Sequence, residues 1–363
     1  MIEHVKSTLG FLLLWAAAFA AVQAGGLFSG IPCRAEGETP GQALETMPFL
    51  LPLNGPLLRK QAEISGLCAY GDTILLLPQY PDWEPDSIHR IYSLPKQDIA
   101  DRILGAGKTL APPLSPDSIL VKDDDLYRLI PGFEGFEAMA VVPGEDGLPD
   151  RAYLCVESRH KGTMHSHLIQ GTFSPDHACL TLDKNTLTPV PLDTSVRNIS
   201  VEALVWTGEM LLALPEASGA NLNPSPKAYA FSLDLVPLGA LDFPRLEYRL
   251  TDATDTDASG EFWVLNTFWS GDEKNLSPAF DALLANNGQG STHSNSGNVE
   301  RLVAFTLSQG AATLSNKPPI LLTLSFVPRN WEGLAFFEHG PIRGFLLATD
   351  MYPGTLLGFI PLP

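Results

Sequence analysis

Apolar runs occur in pairs along the chain, and the pairs repeat. Within each pair a tight turn joins the two runs, as Tyr70-Gly71-Asp72-Thr73 does in the first copy. Short apolar runs joined by such turns predict β-hairpins. Five copies follow one another at a spacing of roughly 50 to 80 residues. Their first runs are Ile64-Ser65-Gly66-Leu67-Cys68, Phe136-Glu137-Ala138-Met139-Ala140, Val201-Glu202-Ala203-Leu204-Val205, Leu250-Thr251-Asp252-Ala253 and Trp331-Glu332-Gly333-Leu334-Ala335.

The repeat predicts an all-β fold in which each copy forms one blade of a propeller. Repeats of this length with several strands each are typical of propeller blades. In the second copy we predict four strands, at about 136 to 142, 151 to 157, 166 to 173 and 178 to 190. The last copy stops after its third run, so the segment from Met47 to Leu53 is predicted to supply the missing strand and close the ring. The prediction is a five-bladed β-propeller of four-stranded antiparallel blades, with six blades as the alternative.

The up-and-down strand order brings polar residues together on one face. The inner strands open with Ser65, Glu137, Glu202, either Thr251 or Asp252, and Glu332. Converging carboxylates repel one another, so they must protonate, pair with basic groups or bind a cation. Ca²⁺ binds oxygen ligands with loose geometry and suits such a ring. The predicted metal ligands are Ser65, Glu137, Glu202, Asp252 and Glu332. In the alternative interpretation, these side chains accept hydrogen bonds from backbone amides of the adjacent blade and tie the blades together.

Further polar residues stand at the ends of the second strands, where they would surround the channel mouth, and Arg329 enters the same face just before Glu332. A phosphate or carboxylate ligand needs basic groups beside a bound cation. The predicted substrate-binding residues are Arg159, His160, Lys161, Asn266 and Arg329. The residues predicted to activate water are Glu157, Glu216 and Asp350. The alternative for the basic residues is salt bridging to neighbouring acidic side chains.

Two other segments on or near the blades have an unusual composition. The loop from Asn266 to Asn298 is long and rich in Gly, Ser and Asn, as in functional lids and in mobile insertions. The acidic run Asp252, Asp255, Asp257 has the composition of a calcium loop without its full spacing, and it predicts a solvated turn before Gly260.

Length and charge narrow the class of protein. The chain has 363 residues, and the repeat from 45 to 363 predicts a single large propeller domain. A formal net charge of −18 argues against nucleic acid as a partner, because such binding depends on Lys and Arg neutralising phosphates. We expect a monomer.

The N-terminus resembles a secretory signal. Lys6 precedes an apolar segment from about Leu9 to Ala24, and the sequence predicts cleavage after residue 24, or as late as residue 35, followed by a leader at 25–44. The protein is therefore expected to be exported to a periplasmic or extracellular location, with no membrane attachment after cleavage. The alternative is an uncleaved anchor.

The inner-strand phrases resemble those of a known family. Trp331-Glu332-Gly333-Leu334-Ala335, Phe136-Glu137-Ala138-Met139 and Thr251-Asp252-Ala253 are similar to inner strands of the esterase-like phytase β-propeller family, over about residues 45 to 363. The series Ser, Glu, Glu, a polar residue, Glu is also similar to the axial calcium ring of the five-bladed calcium-activated apyrases. That resemblance implies Ca²⁺ on Ser65, Glu137, Glu202 and Glu332.

Two functions follow as expectations from these patterns. One is an exported calcium-binding propeller that acts as a calcium-dependent phosphoric ester hydrolase of phytase-like type on a small phosphorylated ligand. The other is a non-catalytic binding or scaffold propeller with a structural cation, which the lack of a clear nucleophile favours.

Overall fold

The computed structural model describes residues 45–105, 112–123, 126–192, 199–308, 310–352 and 354–362. The predicted signal peptide and leader lie outside this part of the chain. Two compact units divide the sequence, and the larger one is formed by Pro40–Leu104 and Pro112–Pro363. Among the described residues, no helix has both the length and the apolar character that a membrane span needs.

The larger unit is an all-β, five-bladed propeller. Two short strands precede the blades, β1 (Glu45–Thr46) and β2 (Phe49–Leu51). Blade 1 consists of β3 (Ile64–Tyr70), β4 (Thr73–Pro78), β5 (Arg90–Pro95) and β6 (Asp117–Lys122). Blade 2 consists of β7 (Phe133–Val142), β8 (Arg151–His160), β9 (Thr163–Phe173) and β10 (Cys179–Val190). Blade 3 consists of β11 (Val201–Trp206), β12 (Leu211–Pro215), β13 (Lys227–Phe231) and β14 (Pro237–Asp242).

The last two blades complete the ring. Blade 4 consists of β15 (Arg249–Ala253), β16 (Glu261–Phe268), β17 (Val299–Ser308) and an interrupted outer strand, β18 (Ala311–Leu314) with β19 (Ile320–Leu322). Blade 5 consists of β20 (Trp331–His339), β21 (Ile342–Thr349), β22 (Leu357–Pro361) and the N-terminal strand β2. The helices are short and lie between strands: α1 (Lys96–Leu104), α2 (Leu126–Leu129), α3 (Glu273–Leu276) and α4 (Ala282–Asn287), with 3₁₀ turns at Pro56–Leu58, Lys60–Ala62, Ser270–Asp272 and His293–Asn295.

Burial explains why the inner and outer strands differ in sequence. The two inner strands of a blade are covered on both faces, so they are nearly continuous apolar runs, as in Ala152 to Val156 of β8. The outer strand β10 starts with buried Leu180 and Leu182 alternating with exposed Thr181 and Asp183, because only one of its faces is covered. The predicted pattern of strands therefore reflects distance from the propeller axis.

Five hydrophobic cores lie between neighbouring blades and set the blade count. Successive side chains of an inner strand point to opposite faces. Leu67 therefore packs in the core shared with blade 5, while Cys68 packs in the core shared with blade 2. In the same way Met139 faces blade 1 and Ala138 faces blade 3. The core that contains Leu67 also contains Ala335 and Phe337 of blade 5, so blade 5 packs directly on blade 1. The ring therefore closes at five blades, and the six-bladed alternative is excluded.

The N-terminal strand closes the ring as the sequence predicts. In blade 5, β2 pairs antiparallel with β22, with Phe49 opposite Phe359 and Leu51 opposite Leu357. The preceding strand β1 pairs in parallel with β19 of blade 4. The N-terminal segment thus joins the two last blades and covers the edge that β22 would otherwise expose.

Glu45 of β1 also holds the long insert between β16 and β17. Its carboxylate accepts hydrogen bonds from the backbone amides of Thr292 and His293, from both side chains of that pair, and from the Ser291 hydroxyl. Burial opposes the ionised form of Glu45, but the hydrogen bonds from His293 and Thr292 outweigh burial and lower the pKa of Glu45 to about 2. The insert is therefore a folded, anchored segment with short helices.

Replacing Glu45 by Gln should release this insert. A carboxylate whose pKa is depressed stabilises the fold above its ordinary pKa, and the stabilisation is lost as the pH falls through about 2. At neutral pH we expect Glu45→Gln to lose about 2 kcal/mol of stability. The amides of residues 291–293 should then exchange with solvent faster in hydrogen–deuterium exchange, while the exposed Glu145→Gln should match the wild type. Unchanged exchange of these amides in Glu45→Gln would contradict the anchoring role.

Candidate metal centre

Each inner strand carries a β-bulge at the same point of its ladder. In blade 2, Phe136 pairs with Val156 and Ala138 with Cys155, so Glu137 between them has no partner. A bulge of this kind re-aims the side chain of its extra residue. We call the five extra residues the axial ring, and they are Ser65, Glu137, Glu202, Thr251 and Glu332.

In blade 4 the bulge assigns the axial position to Thr251. Asp252 is the next residue, and its Oδ2 accepts hydrogen bonds from the backbone nitrogens of Leu67 at 3.2 Å and Leu334 at 2.7 Å. Its Oδ1 accepts a third bond from the Ala253 nitrogen at 2.8 Å. Asp252 is thus a buried strut between blade 4 and blades 5 and 1, as in the alternative interpretation of these carboxylates. The structure thus places Asp252 outside the axial ring, and its role as a metal ligand stays a prediction.

A second ring is formed by the second strands. In each blade, the residue just before the bulge pairs with a residue of the second strand, and the next residue of that second strand belongs to the ring. Val156 pairs with Phe136 and Pro215 with Val201, so Glu157 and Glu216 follow at equivalent positions of blades 2 and 3. We call this set the mouth ring, and its members are Gln79, Glu157, Glu216, Thr267 and Asp350.

Thr267 holds the mouth position of blade 4, one residue after the predicted Asn266. The Asn266 side chain is fully buried, and its Nδ2 donates to the carbonyls of Glu247 at 3.0 Å and Arg249 at 2.8 Å. Its Oδ1 accepts from Arg301 Nε at 2.7 Å. Asn266 therefore fixes the backbone of blade 4, and its contact with substrate stays a prediction.

Three glutamates of the two rings converge. One carboxylate oxygen each of Glu137, Glu157 and Glu202 lies within 4.8 Å of the other two. Glu137 and Glu157 are buried, and Glu202 is partly buried. Oxygens bound to one Ca²⁺ at about 2.3–2.6 Å lie no more than about 5 Å apart, so the three could share an ion. The bulges of β7 and β11 together with the end of β8 produce this convergence.

The carboxylates of the centre raise one another's pKa. Burial first, and then Glu157 and Glu332, raise the pKa of Glu137 well above its ordinary range. Burial and Glu216 act in the same way on the pKa of Glu202. Burial and Glu216 also raise the pKa of Glu157 to about 7, although the Ser200 hydroxyl donates to its Oε2 at 2.9 Å. A cation or protons are needed to offset this charge.

The remaining predicted acidic ligands and catalysts occupy separate positions around the group of three. Glu332 accepts a hydrogen bond from Asn330 Nδ2 at 2.6 Å, and the same amide donates to Asp350 at 3.2 Å. Burial, followed by Asp350, raises the pKa of Glu332 well above its ordinary range, and burial raises that of Asp350. Ser65 donates from its hydroxyl to the Phe136 carbonyl at 2.6 Å, at the step before Glu137.

Three residues of the site were missed by the sequence analysis. Ser200, Arg249 and Asn330 stand two residues before the axial residue of their blades and contact the carboxylates of the mouth ring. Arg249 forms an ion pair with fully buried Glu216, and its Nη2 donates to Asp272 at 2.7 Å. The signal that could have found them is their shared position in the repeat, where polar residues recur at the same distance from the bulge.

The basic residues predicted to hold phosphate are divided by the structure. Arg329 is mostly buried and donates to Glu300 at 2.7 Å and to the Thr323 carbonyl. Arg159 forms an ion pair with Glu134. Arg159 and Arg329 therefore form the salt bridges to neighbouring acidic side chains that were the alternative to phosphate binding. His160 and Lys161 are exposed at the turn between β8 and β9, beyond Glu157 along the same strand.

The donor set of the centre fits a hard cation. The converging ligands are carboxylate oxygens. The hydroxyls of Ser65 and Thr251, which hold the other two polar axial positions, donate to the backbone carbonyls of Phe136 and Trp331. Oxygen-only sets of this kind suit Ca²⁺ or Mg²⁺, and flexible geometry with several carboxylates favours Ca²⁺.

The negative potential of the centre extends to Tyr80, in the loop after β4. Burial, and then nearby carboxylates with Glu137 first among them, raise the pKa of Tyr80 to about 12.

Comparisons with known proteins find similar structures and no sequence relatives. No family model matches the chain, and no curated protein matches it. An α-L-arabinofuranosidase from Lactobacillus brevis is 11% identical with a TM-score of 0.46, over 86% of this chain and 94% of that one. A GH43_1 enzyme from Xanthomonas citri complexed with xylose is 8% identical with a TM-score of 0.46, over 87% and 91%. The catalytic domain of a Coprinopsis cinerea GH62 α-L-arabinofuranosidase is 10% identical with a TM-score of 0.42, over 88% and 98%. Likenesses of this size carry no information about a substrate.

Proposed function

We propose that the protein is an exported, monomeric β-propeller that binds Ca²⁺ on its axis. Glu137, Glu157 and Glu202 are the carboxylate ligands, with Glu332 and the Ser65 hydroxyl beside them. The observation that carries the proposal is the convergence of three buried or partly buried carboxylates within 4.8 Å. Arg249 already pairs with two other carboxylates, Glu216 and Asp272. It therefore does not neutralise the negative charge of Glu137, Glu157 and Glu202, and a bound cation would do so.

The structural role of the cation is favoured over a catalytic one. Its ligands come from the neighbouring blades 2 and 3, so the ion would link these two blades near the axis. Two of the predicted phosphate ligands, Arg159 and Arg329, are engaged in ion pairs with Glu134 and Glu300. The protein is then a binding or scaffold propeller, and the loops at the mouth contact a small anionic ligand or a protein.

Calcium should raise the melting temperature of the mature protein. A ligand present at about 100 times its Kd stabilises the fold by about 2.7 kcal/mol, which corresponds to about 4 °C for a domain of this size. We expect this difference between excess Ca²⁺ and EGTA in the wild type. Glu137→Gln replaces one carboxylate ligand by a neutral amide, so this variant should lose most of the Ca²⁺-dependent rise in melting temperature.

The matched control is Glu209→Gln, a glutamate exposed in the turn between β11 and β12. It should keep the full Ca²⁺ response of the wild type. An equal melting temperature of the wild-type protein in Ca²⁺ and in EGTA would refute a calcium site of useful affinity and would leave the glutamates as protonated or hydrogen-bonded links between blades.

A second candidate function is calcium-dependent phosphoric ester hydrolysis of the phytase-like type. It is favoured by the pKa of Glu157, about 7, which suits a general base, and by exposed His160 and Lys161 beyond it. In this candidate Glu137 and Glu202 would hold the Ca²⁺, which would supply charge stabilisation to the phosphoryl oxygens. Asp350, or Glu157 where it is not itself a ligand of the ion, would orient and deprotonate water, and His160 and Lys161 would hold the phosphate. Glu216 is less suited because Arg249 occupies it.

Hydrolysis of p-nitrophenyl phosphate and of phytate, measured with Ca²⁺ and with EGTA, separates the two candidates. The enzyme hypothesis expects calcium-dependent turnover that Asp350→Asn or a Lys161→Ala variant reduces by at least about tenfold. Ca²⁺ stabilisation without turnover of either ester leaves the binding or scaffold function.

A further inference from the structure

The propeller has a cavity at the end of the channel opposite the carboxylate rings. Its volume is about 520 Å³, which is within the usual range of small-molecule sites. The hairpin turns between the first and second strands surround it, and its walls come from blades 1, 2, 4 and 5. Of the described residues that line it, none belongs to the axial ring or the mouth ring.

Most charged side chains of this cavity are already paired. Lys317 Nζ donates to Glu261 Oε1 at 2.5 Å, and Arg343 lies 3.3 Å from Glu338. Asp257 accepts hydrogen bonds from the Ser259 hydroxyl at 2.6 Å and from two backbone nitrogens of its own turn. These groups form the rim, and they need no ligand to balance them.

Asp255 is different, although the sequence predicts a solvated turn here. Its Oδ1 accepts a hydrogen bond from the Trp206 nitrogen at 2.8 Å, and no donor within the described ranges reaches its other oxygen. Burial raises the pKa of Asp255 to about 7, so a positive partner would be needed to keep it ionised at neutral pH.

Lys96 stands on the wall of the same cavity. Its ammonium makes neither a hydrogen bond nor an ion pair with the residues that the structure describes, and burial lowers its pKa. The buried Cys68 thiol lies near both groups. Burial raises the pKa of Cys68, Asp255 raises it further, and Lys96 lowers it. Within the described ranges, Asp255 therefore has one oxygen without a donor, and the Lys96 ammonium has no hydrogen-bond acceptor. The Asp72 and Glu338 carboxylates act on Lys96 only through longer-range attraction, which raises its pKa against the effect of burial.

The geometry points to a site for a small zwitterion of amino-acid or dipeptide size. The ligand's ammonium would pair with the open oxygen of Asp255, and its carboxylate would pair with Lys96. Leu67, Met139 and Leu334 line the cavity and would cover an aliphatic side chain. This site shares no residue with the proposed calcium centre, so it stands or falls independently of that proposal.

Calorimetric titration of the full chain with L-leucine and with leucyl-leucine tests the site. The same titration with 3-methylbutylamine, which has no carboxylate, and with 4-methylpentanoate, which has no ammonium, provides matched half-ligands. We expect at least one zwitterion to bind at least about tenfold more tightly than either half-ligand, because each half leaves one buried charge unpaired.

The variants separate the two ends of the ligand. Asp255→Asn should weaken the zwitterion and the amine while leaving the carboxylate unchanged, and Lys96→Met should do the reverse. Arg343→Met, which changes a paired cation of the same cavity, is the control and should bind like the wild type. The proposal is overturned if no zwitterion binds below about 10 mM, if a half-ligand binds as tightly as the zwitterion, or if both variants bind as the wild type does.

Discussion

In EGTA, the melting temperature of the wild-type protein should fall as the pH rises from about 5 to about 8. The protonated form of Glu157 is favoured in the fold, where its pKa is raised from an ordinary 4.5 to about 7. A raised pKa stabilises the fold fully below the ordinary value, and the stabilisation disappears as the pH passes through the folded value. The difference between these two pKa values corresponds to a loss of about 3 kcal/mol.

In excess Ca²⁺ the trend should weaken or reverse. Calcium binds the ionised carboxylates, so its affinity increases as Glu137, Glu157 and Glu202 lose their protons. Deprotonation then strengthens ion binding at the same pH at which it destabilises the ion-free protein. The two melting curves should therefore separate progressively between about pH 5 and pH 8.

Glu157→Gln isolates this effect from other titrations. The amide cannot ionise, so in EGTA the variant should be more stable than the wild type at about pH 8 and should show a flatter pH profile. It should also gain less from Ca²⁺. Parallel pH profiles of wild type and variant in EGTA would show that Glu157 does not titrate in this window.

Asp252→Ala should be strongly destabilising, although the residue lies outside the metal group. The substitution leaves the backbone amides of Leu67, Leu334 and Ala253 buried and without their acceptor. At about 1–3 kcal/mol for each unsatisfied buried group, we expect a loss of at least about 3 kcal/mol in chemical denaturation. Since these amides belong to blades 1, 5 and 4, the loss should affect the closure of the whole ring.

Asp252→Asn is the informative companion variant. With its carbonyl oxygen at the position of Oδ2, asparagine keeps the bonds from Leu67 and Leu334 and turns its amide group toward Ala253, so an intermediate loss is expected. Its calcium affinity should stay within about twofold of the wild type. A complete loss of calcium binding in a folded Asp252→Asn variant would return Asp252 to the ligand set and contradict its role as a strut.

The blades were predictable from the sequence because their signal is local. Apolar runs, tight turns and the unpaired segment around Phe49 carry the strand count and the closure by β2. Covering both faces of the inner strands requires long apolar runs, and such runs are visible without knowledge of tertiary contacts. The positions of Glu137, Glu202 and Glu332 at one phase of the repeat followed in the same way.

The differences between the predicted and observed ring positions of blade 4 have one physical cause. A β-bulge inserts one residue into one strand, and a shift of one residue changes which side chain faces the axis. The pairing of Leu250 with Asn266 places Thr251 and Thr267 at the ring positions. From the sequence, Thr251 and Asp252 were both candidates for the first of these positions, and Asn266 was predicted for the second. Register across a bulge depends on the partner strand, and the apolar pattern of one strand does not specify it.

The partners of the carboxylates depend on longer-range contacts. Arg249 reaches Glu216, which is 33 residues earlier in the chain, and Arg329 turns to Glu300. Whether an arginine faces solvent or a buried glutamate is decided by packing between blades. The sequence could therefore identify the basic residues near the mouth, and only the folded ring showed which of them are already neutralised.

The pairing of β2 with β22 has a consequence for how the molecule matures. Residues 49–51 find their partner only after residues 357–361 have been synthesised, so β2 must wait for β22. Until then blade 5 has an open edge and its core with blade 1 is incomplete. Folding should consequently be slow and finish in one late, cooperative step, and a nascent chain stalled before β22 should remain a substrate for chaperones and proteases.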